Sequence, residues 1–119
     1  MRVVNANKFY FHKGGAETAY FETARLLEEH GHDVVPFAMR HPDNEPTPWS
    51  RFFPSRVEFR APGGAASKLA RAARVIYSAE ARDRMRELLA EARPDLVHLH
   101  NIAHQLSPSI LEPIRDAGL

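Results

Sequence analysis

Cysteine is absent from this 119-residue sequence, so a disulfide scaffold, a thiolate metal site and a cysteine nucleophile are all excluded. An excess of one charge is missing too. With 16 basic and 15 acidic residues the formal charge is +1, which gives no global field for nucleic acid and no acidic bias of the disordered kind. The opening Met1-Arg2-Val3-Val4-Asn5 reaches polar residues too soon for a signal peptide, and no apolar run approaches a membrane span. Those absences fit a cytoplasmic protein. Neither the dinucleotide fingerprint G-x-G-x-x-G nor the P-loop pattern G-x-x-x-x-G-K-[ST] occurs.

What is present reads as one ordinary domain over residues 1–119, since 44% hydrophobic content supports a core and the length is too short for two. Periodicity alternates along it. Val3 and Val4 open a short segment to about Tyr10, interrupted by Asn5, Asn7 and Lys8 and broken by Lys13-Gly14-Gly15. Ala16, Ala19, Tyr20, Ala24 and Leu27 then fall on one helical face, with Gly31 placed for a left-handed C-terminal residue. Val34-Val35-Pro36-Phe37-Ala38 is a second predicted strand, and Pro36 puts it at an edge or a bulge because proline has no amide hydrogen to donate.

Residues 40–65 hold Pro42, Pro46, Pro48, Pro54, Pro62 and Gly63-Gly64 among Trp49, Phe52, Phe53 and Phe59, a long loop of the kind that is functional or mobile. Its aromatics are read first as anchors to the domain body and only second as substrate contacts. A helical pattern returns from Ser67 to about Tyr77 and again after Ser78, a candidate N-cap, with Ala81, Met85, Leu88, Leu89 and Ala92 on one face. It should end near Arg93, before Pro94. Asp95-Leu96-Val97-His98-Leu99-His100 is the clearest strand, and Ser107-Pro108 predicts another helix, kinked or shortened by Pro113 and closed by Gly118.

Strand, helix, strand, helices, strand, helix is the order of an α/β, Rossmann-like parallel sheet with flanking helices. Such sheets bind ligands at the carboxyl ends of their strands, which singles out the loops after Tyr10 and after His100. In the first, Gly14 and Gly15 would let backbone approach an anion at a helix N-terminus, or would merely form a turn that feeds the helix. Glu17 can simply complement the helix dipole.

Taken in order, Asn7-Lys8-Phe9-Tyr10, Lys13-Gly14-Gly15-Ala16-Glu17, Gly31-His32-Asp33-Val34 with Pro36-Phe37, His41-Pro42, Asn44-Glu45-Pro46 and Pro94-Asp95-Leu96-Val97-His98-Leu99-His100-Asn101 resemble the amino-terminal domain of family 4 glycosyltransferases. The resemblance spans nearly the whole chain. It implies one half of a GT-B fold, in which the first domain mainly holds a sugar or lipid-linked acceptor and the second a nucleotide-diphosphate sugar. It implies glycosyl transfer with retention and with neither a cofactor nor an essential metal. Gly14 and Gly15 would approach the donor diphosphate, while Lys13, Glu17, His100 and Asn101 would line the cleft or bind acceptor. The family continues into a further strand, a loop with an important histidine and a second domain with paired glutamates. None of these is present in the sequence, so a truncated, inactive fragment is expected.

Two other readings remain open. In one, His98, His100 and nearby His104 form the imidazole group of a metal-dependent hydrolase, although no carboxylate completes an evident ligand set. In the other, a non-catalytic binding module, or one half of a two-chain transferase, uses Lys68, Arg71, Arg74 and Arg82 against an anionic lipid head or acidic polysaccharide, which would place it at the inner membrane surface. Interspersed Glu80 and Asp83 favour an ordinary solvated face instead.

Overall fold

The computed structural model describes residues 1–55, 64–76, 78–102 and 106–119; for residues 67, 71 and 73–76 it describes the backbone alone. Phe59, Pro62, Gly63, Tyr77 and His104, and the side chains of Ser67, Arg71 and Arg74, lie outside the described residues.

Three parallel strands form the sheet: β1 (Arg2–Ala6), β2 (Asp33–Phe37) and β3 (Leu96–Leu99), in the order β2-β1-β3. The chain therefore steps to one side of β1 and then returns past it to the other. Central β1 is paired on both sides, with Val4 opposite Val35 and Val97, and Asn5 opposite Pro36 and His98. Alternation sends Val4, Ala6, Val35 and Phe37 to one face and Val3, Asn5 and His98 to the other. Pro36 lies in an edge strand, as its missing amide requires.

The first face carries the core. Helix α3 (Ala79–Ala92) starts where the Ser78 hydroxyl accepts from the Ala81 amide, and stops at Arg93 in left-handed geometry before Pro94. Its buried stripe is Ala81, Met85, Leu88, Leu89 and Ala92, the five positions that helical spacing marks. These pack with Val4, Ala6, Val35, Phe37, Ile110 and Ile114. Fully buried side chains such as Met85 and Leu88 each contribute about 1.5–3 kcal/mol of transfer free energy.

Helix α1 (Gly15–Glu29) covers the other face. Its end is a left-handed glycine motif: Gly31 has φ +86°, its amide donates to Glu28 O, and His32 donates to Leu27 O. The buried residues of α1 are Glu17 and Tyr20, whereas Ala16 and Ala19 are exposed. Of the expected face, Tyr20 is buried and Ala24 and Leu27 are half-buried, whereas Ala16 and Ala19 turn to solvent and Glu17 takes the inward place in the first turn.

Helix α2 (Ala65–Ile76) precedes α3, and the predicted final helix begins as a 3-10 turn (Pro108–Ile110) before α4 (Leu111–Asp116). The Ser107 hydroxyl caps that turn by accepting from the Ser109 amide, and it also accepts from the Ser78 amide, so one side chain ties the starts of two helical segments together. Pro113 sits in the first turn of the short α4. At the amino-terminal edge of the sheet, Arg2 donates its amide to Asp95 Oδ2 and its guanidinium to Asp33 Oδ2 and Ala92 O, joining all three strands.

Candidate functional site

Because β2 and β3 lie on opposite sides of β1, the strand order reverses between β1 and β3, the position at which open parallel sheets bind ligands. The β1 loop is residues 7–14, and β3 runs on into His100-Asn101. Backbone bonds bolt them together: His100 N donates to Ala6 O at 2.9 Å and Lys8 N to Asn101 O at 2.7 Å. The glycine turn and the tip of the histidine-bearing strand thus share one end of the sheet.

Two buried asparagines organise this end. Asn7 donates through Nδ2 to Phe9 O (2.8 Å) and Glu17 Oε2 (3.1 Å), and accepts from the Asn101 amide through Oδ1 (3.3 Å). One side chain thereby connects β1, the first turn of α1 and the end of β3. Asn5 Oδ1 stands 2.8 Å from His100 Nε2, while Asn5 O accepts the Tyr20 hydroxyl at 2.9 Å. An amide oxygen only accepts, so the proton lies on Nε2 and Nδ1 keeps its lone pair. Burial, and secondarily neighbouring His98, holds the His100 pKa below the ordinary imidazole range. Burial also holds the Tyr20 phenol far above its usual range, so it stays a neutral donor.

Gly14 is the N-cap of α1 and makes no side-chain cap, which leaves first-turn amides without a capping acceptor at the positive end of the helix. Its backbone is extended, so no unusual conformation demands glycine there. A methyl group at Gly15 would meet nothing within 4 Å, and at Gly14 it would only touch Glu17 Oε1 at 4.0 Å. The space beside Gly15 is thus open, while the Glu17 carboxylate borders Gly14. Lys13 is exposed, with Nζ 4.2 Å from the Phe9 ring centroid. Glu17, 4% exposed, is turned inward to Asn7 and is therefore a bracing group at the floor of the turn.

The loop after β2 forms the neighbouring wall. Met39 N donates to Lys8 O, Tyr10 N to Asn44 Oδ1, and Glu45 N to Tyr10 O. Phe11 stacks on His41 at 4.3 Å between centroids. Thr47 caps a 3-10 turn (Pro48–Phe52), Phe53 is fully buried, and Trp49 and Phe52 pack partly buried against the core, so these aromatics anchor the loop. Between them lies an open cavity of about 320 Å³ lined by Arg40, His41, Asn44, Glu45, Ser50 and Phe53, among others. No sequence period marks it. Asn5 and Asn7 did carry a signal: two amides at alternate positions of an otherwise apolar strand.

His98 and His100 share a face, with ring centroids 4.3 Å apart. Among the described residues, no group of three or more histidine, aspartate or glutamate side chains has metal-binding geometry, and His104 lies outside them. Of the four cations considered for a lipid surface, Lys68 is exposed, Arg82 pairs with Asp83 at 3.0 Å, and the side chains of Arg71 and Arg74 are not among those described. No helix among the described residues is long and apolar enough to cross a membrane.

Compared with known proteins, residues 13–111 match the sequence profile of Glycosyltransferase Family 4. The matched span runs from the glycine turn through β3 to the start of α4. No curated protein and no solved structure gives a significant match.

Proposed function

Since the chain belongs to Glycosyltransferase Family 4, we propose that it supplies the acceptor side of a retaining transferase that uses a nucleoside diphosphate sugar. The observation that carries this reading is the bonding of the loop that leads into the glycine turn to the tip of β3, at the point where strand order reverses. As the bond from the anomeric carbon to the diphosphate oxygen breaks, its electron pair passes to the leaving group. Fixed backbone amides at Gly14 and Gly15 would stabilise that growing charge without reorganising. The open space beside Gly15 supports the assignment, because an incoming phosphate needs room to approach its amide.

Lys13 adds a mobile positive charge at the rim. Glu17 braces the turn through Asn7, His100 offers Nδ1 to a sugar hydroxyl, and Asn101 lines the opposite wall. The reaction in this reading uses no resident cofactor. It takes place in the cytoplasm during polysaccharide or glycolipid assembly, at the inner membrane face when the acceptor is lipid-linked. The donor nucleoside is held by a second Rossmann-like domain, in the same polypeptide or a partner chain, and residues 1–119 alone do not transfer sugar.

Amide NMR with UDP and GDP tests the diphosphate role. Saturable shifts at Gly14 and Gly15 are expected, and should be lost in Gly14→Val; silence at both glycines with both nucleotides removes the role. Sugar transfer by the purified chain alone from any UDP- or GDP-sugar would refute the requirement for a donor-binding half.

A further inference from the structure

The cavity in the β2 loop is built by fixed groups. Asn44 uses its amide to hold both walls, accepting from Tyr10 N and donating to Met39 O, so it has little left for a ligand. His41 Nδ1 accepts from the Asp43 amide, which leaves Nε2 as the proton-bearing nitrogen, and Phe11 fixes the ring by stacking. The Thr47 oxygen accepts from the Trp49 amide and keeps its own proton to give. Buried Phe53 supplies an apolar wall.

Two charges remain. Arg40 and Glu45 both line the cavity, yet neither has an ion-pair or side-chain hydrogen-bond partner among the described residues. A carboxylate or phosphate ligand would gain from Arg40 but be repelled by Glu45, and a cation would meet the reverse. A ligand with no net charge and with donors and acceptors on adjacent atoms suits both, and a vicinal diol has that pattern: Arg40 and His41 Nε2–H give to its oxygens while Glu45 takes its protons. The volume lies at the small end of ligand sites, about 300–1,000 Å³, fitting a single ring better than an extended chain.

We infer that this cavity is the subsite for one neutral sugar residue of the acceptor. The inference rests on the transferase reading for its biological purpose, and on the cavity alone for its chemistry. Glu45 N and Asn44 Oδ1 fasten the cavity wall to Tyr10, in the same loop that leads into the glycine turn.

The test is amide NMR on the intact chain, titrated separately with methyl α-D-mannopyranoside, methyl α-D-glucopyranoside, methyl α-D-glucuronide and UDP. At least one neutral hexoside should give saturable shifts at residues 40–50 with a Kd of roughly 1–50 mM. Arg40→Gln and Glu45→Gln, both at exposed positions, should each weaken it about tenfold while leaving the remaining spectrum folded. The inference is overturned by the absence of a saturable response to both neutral hexosides, by tighter binding of the glucuronide, or by neutral binding that survives both substitutions. UDP separates the two readings. Shifts at the glycine turn with no hexoside response remove the subsite and leave the transferase, whereas hexoside binding with a silent glycine turn keeps the subsite and removes the diphosphate role.

Discussion

Replacing Asn7 with aspartate changes one buried NH2 group into an oxygen while keeping the side-chain shape, and the structure fixes what must follow. The acceptor bond from Asn101 N survives, but the donations to Phe9 O and Glu17 Oε2 are lost, at roughly 1 kcal/mol each. The new oxygen also stands about where Nδ2 did, 3.1 Å from the Glu17 carboxylate, which is only 4% exposed. Two carboxylates at that separation cannot both ionise cheaply, so the pair holds a shared proton and its upper pKa rises above the unfolded value near 4. The folded variant then binds more protons than the unfolded chain, and its stability increases as pH falls toward that value. Asn7→Asp should therefore cost about 3–5 kcal/mol near pH 8 and about 1–2 kcal/mol near pH 5, where the shared proton restores an O–H···O bond. Urea titrations of wild type and variant followed by circular dichroism at both pH values read this directly. A deficit below about 1 kcal/mol, or one that does not change with pH, would show that Asn7 and Glu17 are not a buried pair.

Other substitutions separate the fold from the site. Gly15→Ala should leave thermal stability unchanged or slightly higher, because the added methyl meets nothing and a helical glycine is replaced, while weakening nucleotide-induced shifts at the turn. A lower melting temperature would place that glycine in the packing instead. His100 has a folded pKa below its unfolded value near 6.5, so its contribution is present above that pH and is lost on acidification through the folded pKa. His100→Gln, which keeps a donor for Asn5, should flatten the fall in stability below about pH 6.5, and an unchanged slope in urea titrations would show that His100 does not carry that fall. Met85→Ala should cost about 2–5 kcal/mol by urea unfolding, whereas Leu69→Ala, at a side chain 73% exposed, should stay within about 0.5 kcal/mol.

Legibility in the sequence followed side-chain size and periodicity. Met85, Leu88 and Leu89 are large, spaced for one helical face and bounded by Ser78 and Pro94, so α3 could be read residue by residue. Helix α1 could be located and oriented through Tyr20, Ala24 and Leu27 but not in its first turn, because alanines carry little burial signal and Glu17, taken as a dipole partner, is a buried strut. That the loop after β1 and residues His100-Asn101 after β3 leave the same end of the sheet was deducible from topology, since parallel neighbours send their loops to one end. The bonds that make this end rigid were not, because Asn7 contacts residues ten and ninety-four positions away. The cavity after β2 was opaque for a related reason: Arg40, Asn44 and Glu45 belong to a loop without a period, and their arrangement depends on backbone bonds to Tyr10.

Pro36 has a consequence for how this protein meets copies of itself. Phe37 O accepts from Asn7 N, so in β2 the residues at 35 and 37 turn their backbone groups toward β1 and residue 36 turns its own outward. The ring nitrogen therefore interrupts the outer rim of β2, and an intruding strand would find a gap in its row of donors at that point. Fibril-like growth is blocked from that flank. Any such lengthening of the sheet must begin at β3, and gatekeeping charges introduced to curb precipitation belong there.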